Sequence, residues 1–286
     1  MAALGLLLLL LPRKGNAPGP SPALLAAAKE MDDYAVTLKL DAENHTLSIT
    51  EEIHLQNRTG ESLSQVVLRL WPNAYRTEDF SPAASEELFA LCYENGFSVG
   101  QVMLHDVKWQ GEAAAHHFLD EMETALSVDM GPLAPGESGT LFIRCVVQLP
   151  NCAHRTGYVD GTYHLGNVLP LLSVYEEGAW RQDAYTPVGD PFYSACANFR
   201  IALHAPEDFT PVCSVPLQKE KDGVWRGEGL ALRDVGLVLS REYASPAEKQ
   251  VGNTRVLSYA EEKAAAKRAL EYAAAALETY ESLYGD

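Results

Sequence analysis

Tyr34-Ala-Val-Thr-Leu-Lys-Leu40 and His45-Thr-Leu-Ser-Ile-Thr-Glu-Glu-Ile-His-Leu55, joined by Asp41-Ala-Glu-Asn44, set the terms on which the rest of the chain is read. In the first segment Tyr34, Val36, Leu38 and Leu40 share one side of an extended backbone. In the second, Leu47 and Ile49 do the same before Ile53 and Leu55. Successive side chains of a strand point to opposite faces, so an apolar period of two marks a strand with one buried side. The residues between the two segments are turn formers, and the pair reads as a hairpin that ends at Asn57-Arg58-Thr59-Gly60.

Working outward, further strands are expected at 65–71, 99–109, 125–130 and 140–149, with Pro135-Gly136-Glu137-Ser138 as the turn feeding the last. Beyond the middle of the chain they resume at 198–204 and 211–215. Asp222-Gly223 then turns the chain back into 224–228, and 236–241 is expected as the final strand. Strand follows strand without alternating helices, which predicts a mainly β, antiparallel protein. The stretch from Gly157 to Pro191 is dense in Gly, Pro and aromatics and has no period, as expected of a packed long loop or a functional surface.

The two ends differ from this pattern. Ser258-Tyr-Ala-Glu261 reads as a helix capping box. Leu270, Ala273, Leu277, Tyr280 and Tyr284 then recur at helical spacing as one apolar stripe of a long C-terminal helix, with Gly285 as its cap. That stripe needs a partner, either the chain's own sheets or a second domain that the helix opens. At the other end, Leu4 to Leu11 is apolar apart from Gly5 and too short for the about 20 residues of a spanning helix. It matches the apolar core of an export signal but lacks the basic start, so it is either the end of a longer signal or membrane helix or a weak signal in itself. The corresponding expectation is an extracytoplasmic or membrane-associated protein, with possible membrane attachment through this segment and a cytoplasmic tail as the alternative. A Pro- and Gly-rich linker covers Gly15 to Pro22, and a short helix is expected from Pro22 to Met31.

Composition bounds the function. The 286 residues are 47% hydrophobic and carry a formal net charge of −17, which fits a globular fold and argues against a nucleic-acid binder, since such proteins present a basic face. The five cysteines, Cys92, Cys145, Cys152, Cys196 and Cys213, have no zinc-finger spacing and read as small buried hydrophobes, with a Cys145–Cys152 disulfide left open. H-E-x-x-H, G-x-S-x-G, G-x-x-x-x-G-K-[ST] and G-x-G-x-x-G are all absent. His116, His117, Asp120 and Glu121 hold donor atoms but suit a metal only if helical, because neighbours on a strand face apart. Gly157, Gly161 and Gly166 lack the lysine of a phosphate loop. Glu176, Glu177, Asp183 and Asp190 supply carboxylates without any pairing geometry, and Asn44 and Asn57 each begin a glycosylation tripeptide.

Several phrases in order resemble the amino-terminal domain of the aminopeptidase N-like (gluzincin) family of zinc metallopeptidases. They are Tyr34 to Asp41 with Leu47 to Asn57, then Leu68-Arg-Leu-Trp-Pro-Asn-Ala-Tyr75, the last similar to a bacterial branch. Leu133-Ala-Pro-Gly-Glu-Ser138, Gly166-Asn-Val-Leu-Pro170, Gly189-Asp-Pro-Phe-Tyr193 and Phe199 to Pro206 follow. The resemblance covers about Asp33 to Arg241 and implies a saddle-shaped, β-sandwich-like antiparallel domain ahead of a thermolysin-like catalytic domain. It divides the chain into a signal-like segment and linker (1–32), the β domain (33–245), and a linker with the first helix of a truncated catalytic domain (246–286). It further implies a non-catalytic domain that shapes the substrate side of the cleft, with zinc and the peptide substrate handled by the parent protein. No cofactor and no catalytic residue are expected in this chain, which alone is expected to be inactive. In some members of the family this domain lends a polar side chain to the substrate's amino group, and the matching stretch, Thr162 to Pro170, offers His164 and Asn167 as substrate-binding candidates. The alternative is a stand-alone β-sandwich interaction module, in which the helix packs on its own sheets.

Overall fold

The predicted hairpin sits at the centre of the largest sheet. In the computed structural model, which describes residues 7–12, 20–80, 82–243 and 245–285, the principal elements begin with β1 (Leu7–Pro12), α1 (Pro22–Ala28), β2 (Asp32–Asp41) and β3 (Thr46–Gln56). They continue with β4 (Leu63–Arg69), α2 (Glu86–Cys92), β5 (Gln101–Trp109), β6 (Ala125–Leu133), β7 (Ser138–Gln148), β8 (Thr156–Val159) and β9 (Thr162–Leu165). The last are β10 (Ala197–His204), β11 (Thr210–Cys213), β12 (Trp225–Leu232), β13 (Leu237–Ser240), β14 (Ala247–Val251), β15 (Thr254–Tyr259) and α3 (Lys263–Tyr284). The protein is therefore mainly β, built from several sheets that are antiparallel at nearly every pairing, followed by one long helix, α3.

An eight-stranded sheet runs in the order Gln218–Lys219, β12, β10, β2, β3, β7, β5, Glu112–Ala113. Its β2–β10 pairing is parallel, Tyr34 lying opposite Phe199 and Val36 opposite Ile201. A four-stranded sheet of Leu171–Leu172, β4, β6 and His116–Phe118, and another of β8, β9, β13 and β11, complete the main body. One apolar cluster joins all three: Leu47, Ile49 and Ile53 of β3, Leu68 of β4, Leu126 of β6, Leu141 and Ile143 of β7, Leu165 of β9 and Leu239 of β13. The period-two reading of β2 and β3 thus has its cause in a face buried against two further layers. On the same inward face, between Ile49 and Ile53, lies Glu51, fully buried and with no partner for either carboxylate oxygen.

Several expectations change. The strand expected over 65–71 ends at Arg69, and Trp71–Tyr75 forms a fully buried turn of 3-10 helix. Pro72 has no N–H to give a ladder, which removes the reason to continue the strand. Within the irregular middle, β8 and β9 form a tight hairpin through Asp160 and Gly161, both at positive φ (47° and 77°). The capping box is not one: Ser258 is part of β15, opposite Ala247, and α3 starts at Lys263 with Glu262 as its cap. The strand expected to be last is followed by β14 and β15, in the stretch expected as linker. Of the apolar amino-terminal stretch, Leu7–Pro12 pairs antiparallel with β15, and residues 1–6 lie outside the described residues. No helix among the described residues is long and apolar enough to cross a membrane.

The terminal unit has its own small core. Val251 and Val256 pack with Leu270 and Ala274 of α3, and Ala265 and Ala266 close on Ala260. Only the first half of the helical stripe is covered in this way. Tyr280 is 60% exposed and Tyr284 82%.

Candidate binding cleft

The β8–β9 hairpin is anchored before it meets anything else. β9 pairs with β13, and the hydroxyls of Thr162 and Ser240 share a buried hydrogen bond of 2.7 Å. Thr156 Oγ1 donates to the Gly166 carbonyl at 2.7 Å, and Gly166 N donates to the Arg155 carbonyl at 2.9 Å. Gly157 packs against the preceding loop so closely that a Cβ there would lie 2.5 Å from the Cys152 carbonyl oxygen. These constraints leave a cleft of about 290 Å³ between the 154–155 loop, the end of β9 and the start of β13.

Both sequence candidates line this cleft, His164 from β9 and Asn167 from the loop beyond it. Desolvation lowers the pKa of His164, so its imidazole is neutral at physiological pH. His154 lines the same cleft, with Nδ1 2.7 Å from the Tyr75 hydroxyl. Burial, and then the neighbouring Arg155 charge, lower its pKa as well. Burial also holds the Tyr75 hydroxyl protonated, and that oxygen accepts from Thr156 N at 3.3 Å. Asn167 sits at φ 55°, a conformation asparagine tolerates better than most residues, and its Nδ2 donates to Asp234 Oδ2 at 2.7 Å. The Asp234 carboxyl, pushed up to about 6 by burial, accepts from Val235 N through its other oxygen at 2.6 Å.

The cleft therefore offers two neutral imidazoles, an oriented amide and apolar walls from Leu165, Leu237 and Val238. Such a set recognises a polar group by hydrogen bonds at fixed positions. Ser214 Oγ, also in the lining, accepts from Gly236 N at 3.1 Å. The other polar candidates are dispersed. His116 and His117 are exposed neighbours on a short strand, and Asp120 spends its carboxylate on the N–H groups of Thr124 and Ala125, at 3.0 and 2.8 Å. Among the described residues no three His, Cys, Asp or Glu side chains are placed to hold a metal, so the donor set does not fit a zinc ion. Glu176 and Asp183 both grip Arg181, at 2.9 and 2.7 Å, and Asp190 meets Arg155 at 3.4 Å; these carboxylates pair with arginine and not with one another. Asn57 is buried, its amide donating to the Glu61 and Leu133 carbonyls at 2.7 Å each, so its glycosylation tripeptide is closed to an enzyme.

A second cavity of about 290 Å³ went unread in the sequence. Tyr34, Leu171, Trp180, Phe199 and Arg233 meet there from separate segments, and only the aromatic density around Tyr175 and Trp180 hinted at it.

No family model matches the chain, and no curated protein matches it. Among solved structures it is similar to an M1 zinc metallopeptidase from Deinococcus radiodurans, with 16% identity and a TM-score of 0.44 over 78% of this chain and 45% of that one. A two-domain M1 zinc metallopeptidase mutant bound to L-tryptophan gives 16% identity and a TM-score of 0.45, covering 79% and 47%. The same mutant bound to L-arginine gives 16% and 0.45, covering 79% and 46%. The chain spans less than half the length of each of these proteins.

Proposed function

We propose that this chain is the non-catalytic amino-terminal β domain of a zinc-dependent aminopeptidase of the bacterial type, bordering the substrate side of the cleft. The observation that carries the proposal is the ordered set of family-like phrases, one of which, Gly166 to Pro170, supplies a wall of the cleft that His164 also lines. In this reading His164 and Asn167 hydrogen-bond the polar amino end of a peptide, while the zinc and its general base belong to the parent protein. The apolar amino-terminal segment suits an exported or membrane-associated parent.

The test uses the protein made from the whole native reading frame containing this chain. Bound zinc and release of amino-terminal residues from peptides are expected there and not from residues 1–286 alone. His164→Ala or Asn167→Ala in that protein is expected to raise KM about tenfold, equivalent to about 1.4 kcal/mol, with zinc content unchanged. A full-frame product that binds no zinc and cleaves no peptide overturns the proposal.

One observation favours the second reading, a stand-alone interaction module: Leu270 and Ala274 of α3 are buried against β14 and β15 of this same chain. That reading predicts a stable monomer with partners captured at the 157–191 surface and no dependence on zinc.

A further inference from the structure

Two cysteines far apart in sequence meet at the edge of the main body. Cys92 is the last residue of α2, and Cys152 lies in the loop between β7 and β8. Cys92 packs against the small cluster that holds Cys152, and both are free thiols. Backbone and side chains clamp the same junction: Ala153 N donates to the Cys92 carbonyl at 2.8 Å, Asn95 Nδ2 to Asn151 Oδ1 at 3.0 Å, and Asn151 N to Ser98 Oγ at 2.8 Å. Cys152 is buried in a small aromatic cluster with Tyr75 and Tyr93, separate from the main core, while Cys92 stays partly exposed at its edge. The other three thiols are placed differently. Cys145 and Cys213 are buried in the main core, and Cys196 lines the second cavity. All five cysteines are free thiols, and the two left open as a pair by spacing lie in different clusters, Cys145 in the main core and Cys152 in the aromatic one.

We propose that Cys92 and Cys152 form an intramolecular disulfide when the protein meets a low-molecular-weight disulfide such as glutathione disulfide, and that this bond fixes the loop carrying His154 and Arg155 against α2. The proposal is independent of the aminopeptidase reading.

The exchange begins at Cys92, the more accessible sulfur. Its thiolate attacks one sulfur of the oxidant, whose S–S bond breaks and releases one glutathione thiolate, which takes up a proton. Cys152, deprotonated, then attacks the Cys92 sulfur of the mixed disulfide; the protein S–S bond forms and the second glutathione leaves. Two electrons and two protons pass from the protein to the oxidant. Burial holds both thiols protonated, Cys152 pushed up to about 12, so the reaction is slow at neutral pH and quickens in mild alkali. Closing a long loop between α2 and the β7–β8 connection constrains the unfolded chain more than the folded one.

The experiment incubates the native chain with glutathione disulfide in mildly alkaline buffer, alkylates the remaining thiols before unfolding, and maps the peptides. A single Cys92–Cys152 crosslink is expected, with a Tm raised by roughly 5–10 °C and cleavage by trypsin after Arg155 slowed several-fold. Reduction reverses all three. Cys92→Ser and Cys152→Ala each abolish the crosslink and both shifts, and Cys196→Ala leaves them intact. If Cys152→Ala does not fold, the partly exposed Cys92→Ser carries the same readouts. Glutathione adducts without a crosslink, or a crosslink to Cys145, Cys196 or Cys213, overturns the proposal, as does oxidation that leaves cleavage at Arg155 unchanged.

Discussion

The main β body and the terminal unit of β14, β15 and α3 solve the same problem of burial to different extents. In the body, a single apolar cluster reaches from β2 to β13 and contains large side chains such as Phe199 and Ile49 that are 1% and 0% exposed. In the terminal unit the core is a few valines and alanines around Leu270, and the far end of the helix leaves Tyr280, Leu283 and Tyr284 in solvent. Sheets stacked in layers bury a strand face along its whole length, whereas the short three-stranded sheet of β1, β15 and β14 covers only part of a long helix. The body therefore carries most of the stability, and the terminal unit is the part with surface to spare for a further partner.

The strongest way to break that contrast is truncation in each core. Phe199→Ala is expected to cost about 4 kcal/mol in urea unfolding. Leu270→Ala is expected to cost about 2 kcal/mol, the low end for a leucine, because its small core collapses more easily. Equal losses in one cooperative transition would show that the two regions unfold together, and separate transitions would sharpen the difference.

A smaller effect belongs to the body alone. Asp234 titrates at about 6 in the fold, above the about 3.9 of an ordinary aspartate. The folded state holds the proton more tightly, so this group's contribution to stability is greatest below about 4 and falls as pH rises through about 6, by up to about 3 kcal/mol. Glu51 is raised in the same direction, by burial first and then by the Asp234 charge. Asp234→Asn should lose less stability than the wild type between acid and neutral pH, a comparison that urea midpoints make directly. A steeper loss in the variant would contradict the assignment.

Least of all should change at the exposed end of α3. Tyr280→Ser is expected to shift stability of the isolated chain by less than about 0.5 kcal/mol. In the full-frame protein the same substitution should cost more if a further domain covers that end, and calorimetry of both forms separates the cases.

The legibility of these regions follows the same division. Alternation exposed β2 and β3 because their inward faces are apolar almost without exception, the exception being Glu51, which the structure places inward between Ile49 and Ile53. It did not show that this carboxyl would be left without a partner, which depends on what the other layers bring opposite it. β14 escaped because Ala247–Val251 is largely exposed and has no period; its extended form comes from pairing with β15. Ser258 fitted a cap by local pattern, yet strand pairing claimed it first. For the cleft, His164 and Asn167 were legible through the family-like phrase around Gly166. The walls from His154, Ser214 and Val238 were not, since they arrive from three other segments.

The sequence by itself determined the β class, the central hairpin, the long C-terminal helix and the acidic character, because periodicity and charge are local or additive properties. Only the tertiary structure decided which strands share a sheet, that Cys92 and not Cys145 meets Cys152, and that two neutral histidines face one cleft. Those outcomes are non-local. They depend on how layers close over a shared core, and the burial that closure produces also sets the protonation of Asp234, His154 and His164.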